Sequence, residues 1–414
     1  MTNTESQKTF KLTMDLVYYI IGMLSADTER WRAPKVVKMC ALVSRSWREA
    51  ARPHILGRVT LSSHTSLNQF DALLDSEPIV RTFVRELTLH RPNEDYTRVA
   101  ATWATMAPGR LSEKLPRLHT LRLRGLLCLM VKPGREWLEG LSSFASLERL
   151  ILRDCFYPLD FALLCASALP RLRTLEIEEP RKKSSCPRFD GSDCPTHNTA
   201  DLLHISKLRF WDALEIQSEL LARLAQFPDQ HQLRSLSVEI EEKHLPSLLE
   251  AIGVVGPHLE ELTLHIRFCW DLIRDGRIAA FGDQLLGLCT TLRRFTVYCS
   301  DSTCLSGAVT LLERVRSPRL ERVGILFQQY RSRVERGPDF EALGVALAGK
   351  NMALVKTFKL TYDGPIMAKD LWRELETVFP RAVWAKLVLD AICGSRALPA
   401  RYVQITSQKN RDVE

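Results

Sequence analysis

Two stretches of this sequence carry residue types that catalysis or metal binding could use. Gly344-Val-Ala-Leu-Ala-Gly349-Lys350-Asn351 comes one residue short of a phosphate-binding loop, with Asn351 standing where a Ser or Thr would hold Mg²⁺. Such a loop follows a strand and opens a helix. Here Phe340 to Leu347 already reads as helix, Lys350 precedes an extended stretch, and Gly349 reads as a helix stop. Cys186, Cys194 and His197, with His204 as a conceivable fourth, are zinc-ligand types, but their spacing matches no standard finger. Residues 180–200 around them are rich in Pro, Ser, Asp and basic residues, the composition of a mobile loop. There is no His-Glu-x-x-His, Gly-x-Ser-x-Gly or Gly-x-Gly-x-x-Gly. The expectation is therefore no catalysis, no cofactor and no metal. What remains is recognition chemistry. Arg122, Arg124, Arg149, Arg153, Glu176, Glu178, Lys207, Arg209, Trp211, Arg294 and Tyr298 recur at alternate positions of short apolar stretches. Arg with Trp and Tyr is the composition of a protein-interface hot spot.

Those alternating stretches belong to a repeat. Its unit is an apolar residue, two variable residues, an apolar residue, one variable residue and a third apolar residue. The clearest copies are Leu118-His-Thr-Leu121-Arg-Leu123, Leu147-Glu-Arg-Leu150-Ile-Leu152, Leu172-Arg-Thr-Leu175-Glu-Ile177 and Leu259-Glu-Glu-Leu262-Thr-Leu264. Looser copies begin at Val84, Ile205, Leu233, Leu292, Leu320, Val355 and Trp384, and the successive spacings are 34, 29, 25, 33, 28, 26, 33, 28, 35 and 29. Alternation predicts a strand at each copy. Helical periodicity lies between copies, as in Ser218 to Phe227 and Leu245 to Ile252. The array resembles the leucine-rich-repeat family in its longer, helix-containing form over residues 80–395, which implies an α/β solenoid of horseshoe shape. In a horseshoe the variable strand residues face the concave side, where a protein target would bind. A regular repeat places Asn or Cys three residues after the third anchor. Here only Cys155 does, so a different turn is expected, and the polar tail at 400–414 is read as flexible and as closing one end.

The N-terminal part is of another kind. Residues 1–10 read as flexible and 11–60 as a helical module. Leu16, Ile20, Met23 and Leu24 form one helical stripe, a second helix is expected over 35–43, and a third over 45–51, ended by Pro53. Residues 1–60 hold ten Lys/Arg against five Asp/Glu and so supply +5 of the net charge of +8. The remainder is nearly balanced, which argues against a nucleic-acid binder and for a basic module with an acidic protein partner.

This module resembles the F-box family. The opening Leu-Pro-x-Glu-Leu of that family is answered by Leu12-Thr13-Met14-Asp15-Leu16, and its later signature by Leu42-Val43-Ser44-Arg45-Ser46-Trp47. Arg58-Val59 then leads into the first repeat strand, as in fungal members. The resemblance implies a substrate receptor whose F-box docks on a Skp-family adaptor of a cullin ubiquitin ligase through Leu12, Met14, Leu16, Ile20, Leu24, Val43 and Trp47. The alternative is a repeat scaffold outside any ligase, its N-terminal helices capping the first strand. A cap buries Leu12, Leu16 and Ile20, whereas docking leaves an exposed apolar patch. With 45% hydrophobic and 26% charged residues the chain is expected to fold. No apolar run approaches the roughly 20 residues of a membrane span. The polar N-terminus and the odd count of 11 scattered Cys predict a reducing intracellular setting, cytoplasm or nucleus.

Overall fold

The computed structural model describes residues 13–26, 33–91, 102–125, 135–155, 159–178, 204–226, 232–266, 270–300, 302–328, 340–364, 368–393 and 401–406. Leu12, Cys186, Cys194 and His197 lie outside the described residues. The chain divides into two compact units, residues 1–126 with 130–147 and residues 127–129 with 148–414.

The first unit opens with three helices, α1 (Met14–Ala26), α2 (Ala33–Cys40) and α3 (Arg45–Leu56). Ser44 caps α3, its Oγ accepting from the Trp47 amide at 3.3 Å. Pro53 does not end α3, which runs on to Leu56. A proline so near the end removes one hydrogen bond only, and the half-buried Ile55 and Leu56 keep that last turn packed. α2 stops at Cys40, short of the expected Val43. Then come β1 (Arg58–Leu61), α4 (His64–Ser76), β2 (Glu86–His90), α5 (Thr102–Leu111), β3 (Thr120–Arg124) and α6 (Arg135–Ser142). The strands pair in parallel, β1 with β2 and β2 with β3, while α4 packs on α5 and α5 on α6.

The second unit continues as β4 (Arg149–Arg153), α7 (Leu159–Ser167), β5 (Thr174–Glu178), β6 (Lys207–Trp211), α8 (Leu214–Ala225), β7 (Ser235–Ile240), α9 (Leu245–Val255) and β8 (Glu261–Ile266). Next are α10 (Trp270–Arg274), α11 (Arg277–Gly287), β9 (Arg294–Cys299), α12 (Ser302–Arg314), β10 (Arg322–Gln328), α13 (Phe340–Leu347) and β11 (Thr357–Gly364). The unit closes with α14 (Ala368–Val378), α15 (Arg381–Trp384), β12 (Leu387–Cys393) and β13 (Arg401–Thr406). β4 to β12 form one parallel ladder in chain order. β13, in the segment read as a flexible tail, pairs antiparallel with β12. This is a repeat-like α/β fold. Gly349 follows α13 and precedes only a short 3₁₀ turn at Lys350–Met352, so no α-helix opens at Lys350.

The anchors explain the register. Glu86 pairs with Thr120, Thr174 with Lys207, and Arg294 with Arg322, offsets of 34, 33 and 28 that reproduce the repeat spacing. Each strand therefore lays its apolar anchors beside those of its neighbour. Leu121, Leu150, Leu175, Leu208, Leu236, Leu262, Phe295, Val323 and Phe358 are all buried. Full burial stabilises by roughly 1.5–3 kcal/mol per side chain. One backbone device recurs at the strand entrances. A single carbonyl just before one strand accepts two successive amides of the next, as Gly57 does from Arg85 and Glu86, Glu148 from Arg173 and Thr174, and Arg293 from Glu321 and Arg322. These bonds fix the register before the ladder begins.

The turns after the strands also share a device. Gly125, Asp154 and Asp212 each follow a strand in the left-handed conformation, with φ of 69°, 52° and 57°. Gly and Asp tolerate that region best. This is the turn the missing Asn left open, and it lies two residues after the third anchor. Cys155 adds its Sγ, 3.1 Å from the Arg153 carbonyl.

Candidate functional site

Two surfaces carry the residues singled out by sequence, one in each unit. In the first unit α1, α2 and α3 share a small core of Val17, Ile21, Val37, Ala41, Ala50 and Ala51. Leu24, Cys40, Trp47 and Ile55 pack at its edge. The inward stripe of α1 is therefore Val17, Ile21 and Leu24, not the expected Leu16, Ile20, Met23 and Leu24. Nearly every position of α1 is apolar, so periodicity alone does not choose which side turns inward. Met14, Leu16 (43% exposed), Tyr18, Tyr19 and Met23 remain outside, as do Val36, Met39 (69%), Leu42 and Val43 (66%). Ile20 is half-buried and Trp47 is half-buried against the core. Lys35 and Lys38 on α2 and Arg45 and Arg48 on α3 are exposed as well. An open apolar area with a basic rim is what a protein-docking surface looks like.

In the first unit's strands, Arg122 donates to Glu86 at 3.2 Å, and the half-buried Arg124 follows it on β3. On the variable strand face of the second unit, the expected basic and acidic clusters meet and pair. Arg149 donates from Nη2 to both oxygens of Glu176, at 2.9 and 2.8 Å, and Arg209 approaches the same carboxylate at 3.2 Å. Arg153 lies 3.6 Å from Glu178, and Arg294 lies 2.8 Å from Glu261, with Lys207 3.8 Å from that same residue. Burial, and then the Arg209 charge, lower the Lys207 pKa from the ordinary lysine value.

Beside the charges sits an aromatic cluster. Trp211 meets His265 and Tyr298 edge-on, with ring centroids 4.8 and 4.9 Å apart, and Ser237 Oγ lies 2.7 Å from His265 Nε2. The β6–β7 pairing covers Lys207 to Arg209 only. Past it the fully buried Gln217 of α8 takes over the backbone of Glu239, donating to its carbonyl and accepting from its amide, both at 2.9 Å. The Glu239 carboxylate accepts from the Asp212 amide. A cavity of about 460 Å³ opens here, lined by Arg153, Glu178, Arg209, Trp211, Thr263 and His265 among others.

The structure thus gathers Arg149, Arg153, Glu176, Glu178, Lys207, Arg209, Trp211, Arg294 and Tyr298 on one strand face. It does not leave all of them open. Glu176 and Tyr298 are only 3% and 4% exposed, so they support the face from beneath, while Arg209 keeps a 44% exposed side chain. The buried Ile151, Glu239 and His265 lie in the same layer. Sequence reading missed Gln217 and the turn aspartates. Each follows a strand closely, and a buried amide in a helix after a short pairing is a weak signal.

Among the described residues no group of three His, Cys, Asp or Glu is placed to hold a metal, and no helix is long and apolar enough to cross a membrane. The chain matches no known protein family and no curated protein.

Proposed function

We propose that this chain is the substrate-recognition subunit of a Skp-cullin-F-box ubiquitin ligase, an F-box module followed by a leucine-rich-repeat horseshoe. The module docks on a Skp-family adaptor, and the strand face of the repeats holds a protein target. The observation that carries this reading is the apolar surface left open by α1 and α2. Leu16 at 43% exposed is the reverse of what a cap requires, and it stands in the stretch that resembles the F-box opening. The basic rim suits an acidic adaptor, speeding encounter while the buried apolar groups supply affinity. On the repeats, Arg209 and Trp211 bordering the cavity give the target face its anchors. The chain contributes position only, because holding a target beside a ubiquitin donor raises its effective concentration.

The test is co-purification with a Skp-family adaptor. Wild type is expected to retain the adaptor. A Leu16→Asp, Val43→Asp variant is expected to lose it while melting like wild type, since both side chains are exposed. A folded wild type that retains no adaptor ends the ligase reading.

A further inference from the structure

A second cavity lies in the N-terminal unit, away from the apolar surface of α1. It has a volume of about 560 Å³ and sits where the end of α3 meets the starts of β1, β2 and β3. That volume is in the range of small-molecule sites. Its charge is lopsided. Lys38, Arg58 and Arg85 line it against one carboxylate, Glu86. That carboxylate is already engaged by Arg122 at 3.2 Å and by Arg58 at 3.7 Å. Among the described residues Lys38 and Arg85 face no carboxylate at all. Arg85 Nη1 instead points at His119 Nε2, 3.5 Å away, and His119 Nδ1 lies 3.2 Å from the Ser146 carbonyl oxygen. With Nδ1 turned to that carbonyl, Nε2 faces the guanidinium and holds the Arg85 fork at the cavity wall. Thr60 and Thr120 add hydroxyls to the lining.

We propose that this cleft binds a small phosphate-bearing anion. Three cations and two hydroxyls around a single, already paired carboxylate match a dianion with several acceptor oxygens better than the single charge of a carboxylate. Arg85 supplies the planar fork and Lys38 a mobile point charge. The site uses none of the exposed apolar residues of α1 and α2 and shares only Lys38 with the basic rim of the adaptor surface, so Arg85→Ala, which lies outside that surface, separates the two readings.

The experiment is calorimetric titration of the full chain with sodium pyrophosphate, ionic strength held constant with chloride. One saturable site is expected in wild type. Arg85→Ala and Lys38→Ala should each weaken it about tenfold, the loss of one charge-assisted contact. Arg117→Ala, which removes an exposed arginine outside the cleft, should bind like wild type. Melting curves establish that each variant is folded, and the exposed Lys38 keeps the test valid should Arg85→Ala fail to fold. Absence of saturable heat in wild type overturns the proposal, as does equal weakening by Arg117→Ala or no weakening by the two cleft variants. A phosphoserine peptide that bound more tightly than pyrophosphate would overturn the small-molecule assignment.

Discussion

The three N-terminal helices and the strand–helix repeats solve opposite problems with similar residues. Of the fourteen large apolar side chains found exposed among the described residues, nine lie between Met14 and Val43. The repeats, several times longer, expose five. Three short helices share a core of six buried residues, and among the described residues their outer apolar side chains stay exposed. A repeat has neighbours on both sides, so its apolar residues are covered and even its variable strand face is partly packed. Apolar surface that a chain leaves open in so small a module points to a partner. A charged surface that has already paired its charges points to a rigid platform.

Four substitutions or conditions press on that difference. The largest effect is expected for Phe295→Ala in the repeats. It empties a fully buried anchor and should cost about 3–5 kcal/mol in a urea melt, whereas Leu16→Ala should change stability by less than about 0.5 kcal/mol. Equal costs would mean that the N-terminal surface is covered after all. Next is Gln217→Leu, which strands the Glu239 amide and carbonyl in the interior and should cost about 1–3 kcal/mol by the same melt. A near-neutral result would show the repeat layer to be looser than its hydrogen bonds imply. Gly125→Ala should follow at about 1–2 kcal/mol, because a left-handed residue with a Cβ is strained and that Cβ would lie 2.6 Å from the Arg91 carbonyl oxygen. An Asp at that place, as at Asp154, relieves the first problem but not the second.

The smallest effect concerns pH. Burial would raise the Asp71 pKa, but hydrogen bonds from Lys114 at 2.6 Å and Arg110 at 3.1 Å outweigh it and hold the carboxyl below the ordinary aspartate value. A depressed carboxylate contributes stability that is present above the unfolded pKa of about 3.9 and is lost as pH falls through the lower folded value. The gap in urea midpoint between wild type and Asp71→Asn should therefore hold from neutral pH down to about 4 and close below it. A gap that stayed open in acid would remove the charge explanation for how α4 packs on α5.

The periodic part of this fold was legible. Ten of the eleven repeat starts precede an observed strand by two residues, and the last, Trp384, precedes β12 by three. Buried anchors at fixed spacing leave a strong pattern because every copy must meet the same neighbour. Which way α1 faces was not legible, since Val17 and Ile21 differ from Leu16 and Ile20 only in what the fold sets against them. Pro53 misled for a related reason, because the packing of Ile55 and Leu56 outweighs a local rule. On the strand face the shared side was legible but the burial of its members was not. Alternation shows that Glu176 and Tyr298 share a side with Arg209, and says nothing of whether neighbouring side chains cover them.

The most direct test of the contrast between an open module and a closed platform is adaptor affinity measured by titration for three proteins. They are wild type, the Leu16→Asp, Val43→Asp variant, and an Arg209→Ala, Arg153→Ala variant of the strand face. The account predicts binding by wild type and the strand-face variant with equal affinity, and at least a hundredfold loss, about 2.7 kcal/mol, in the N-terminal variant. Equal binding by all three, or no binding by folded wild type, would contradict it.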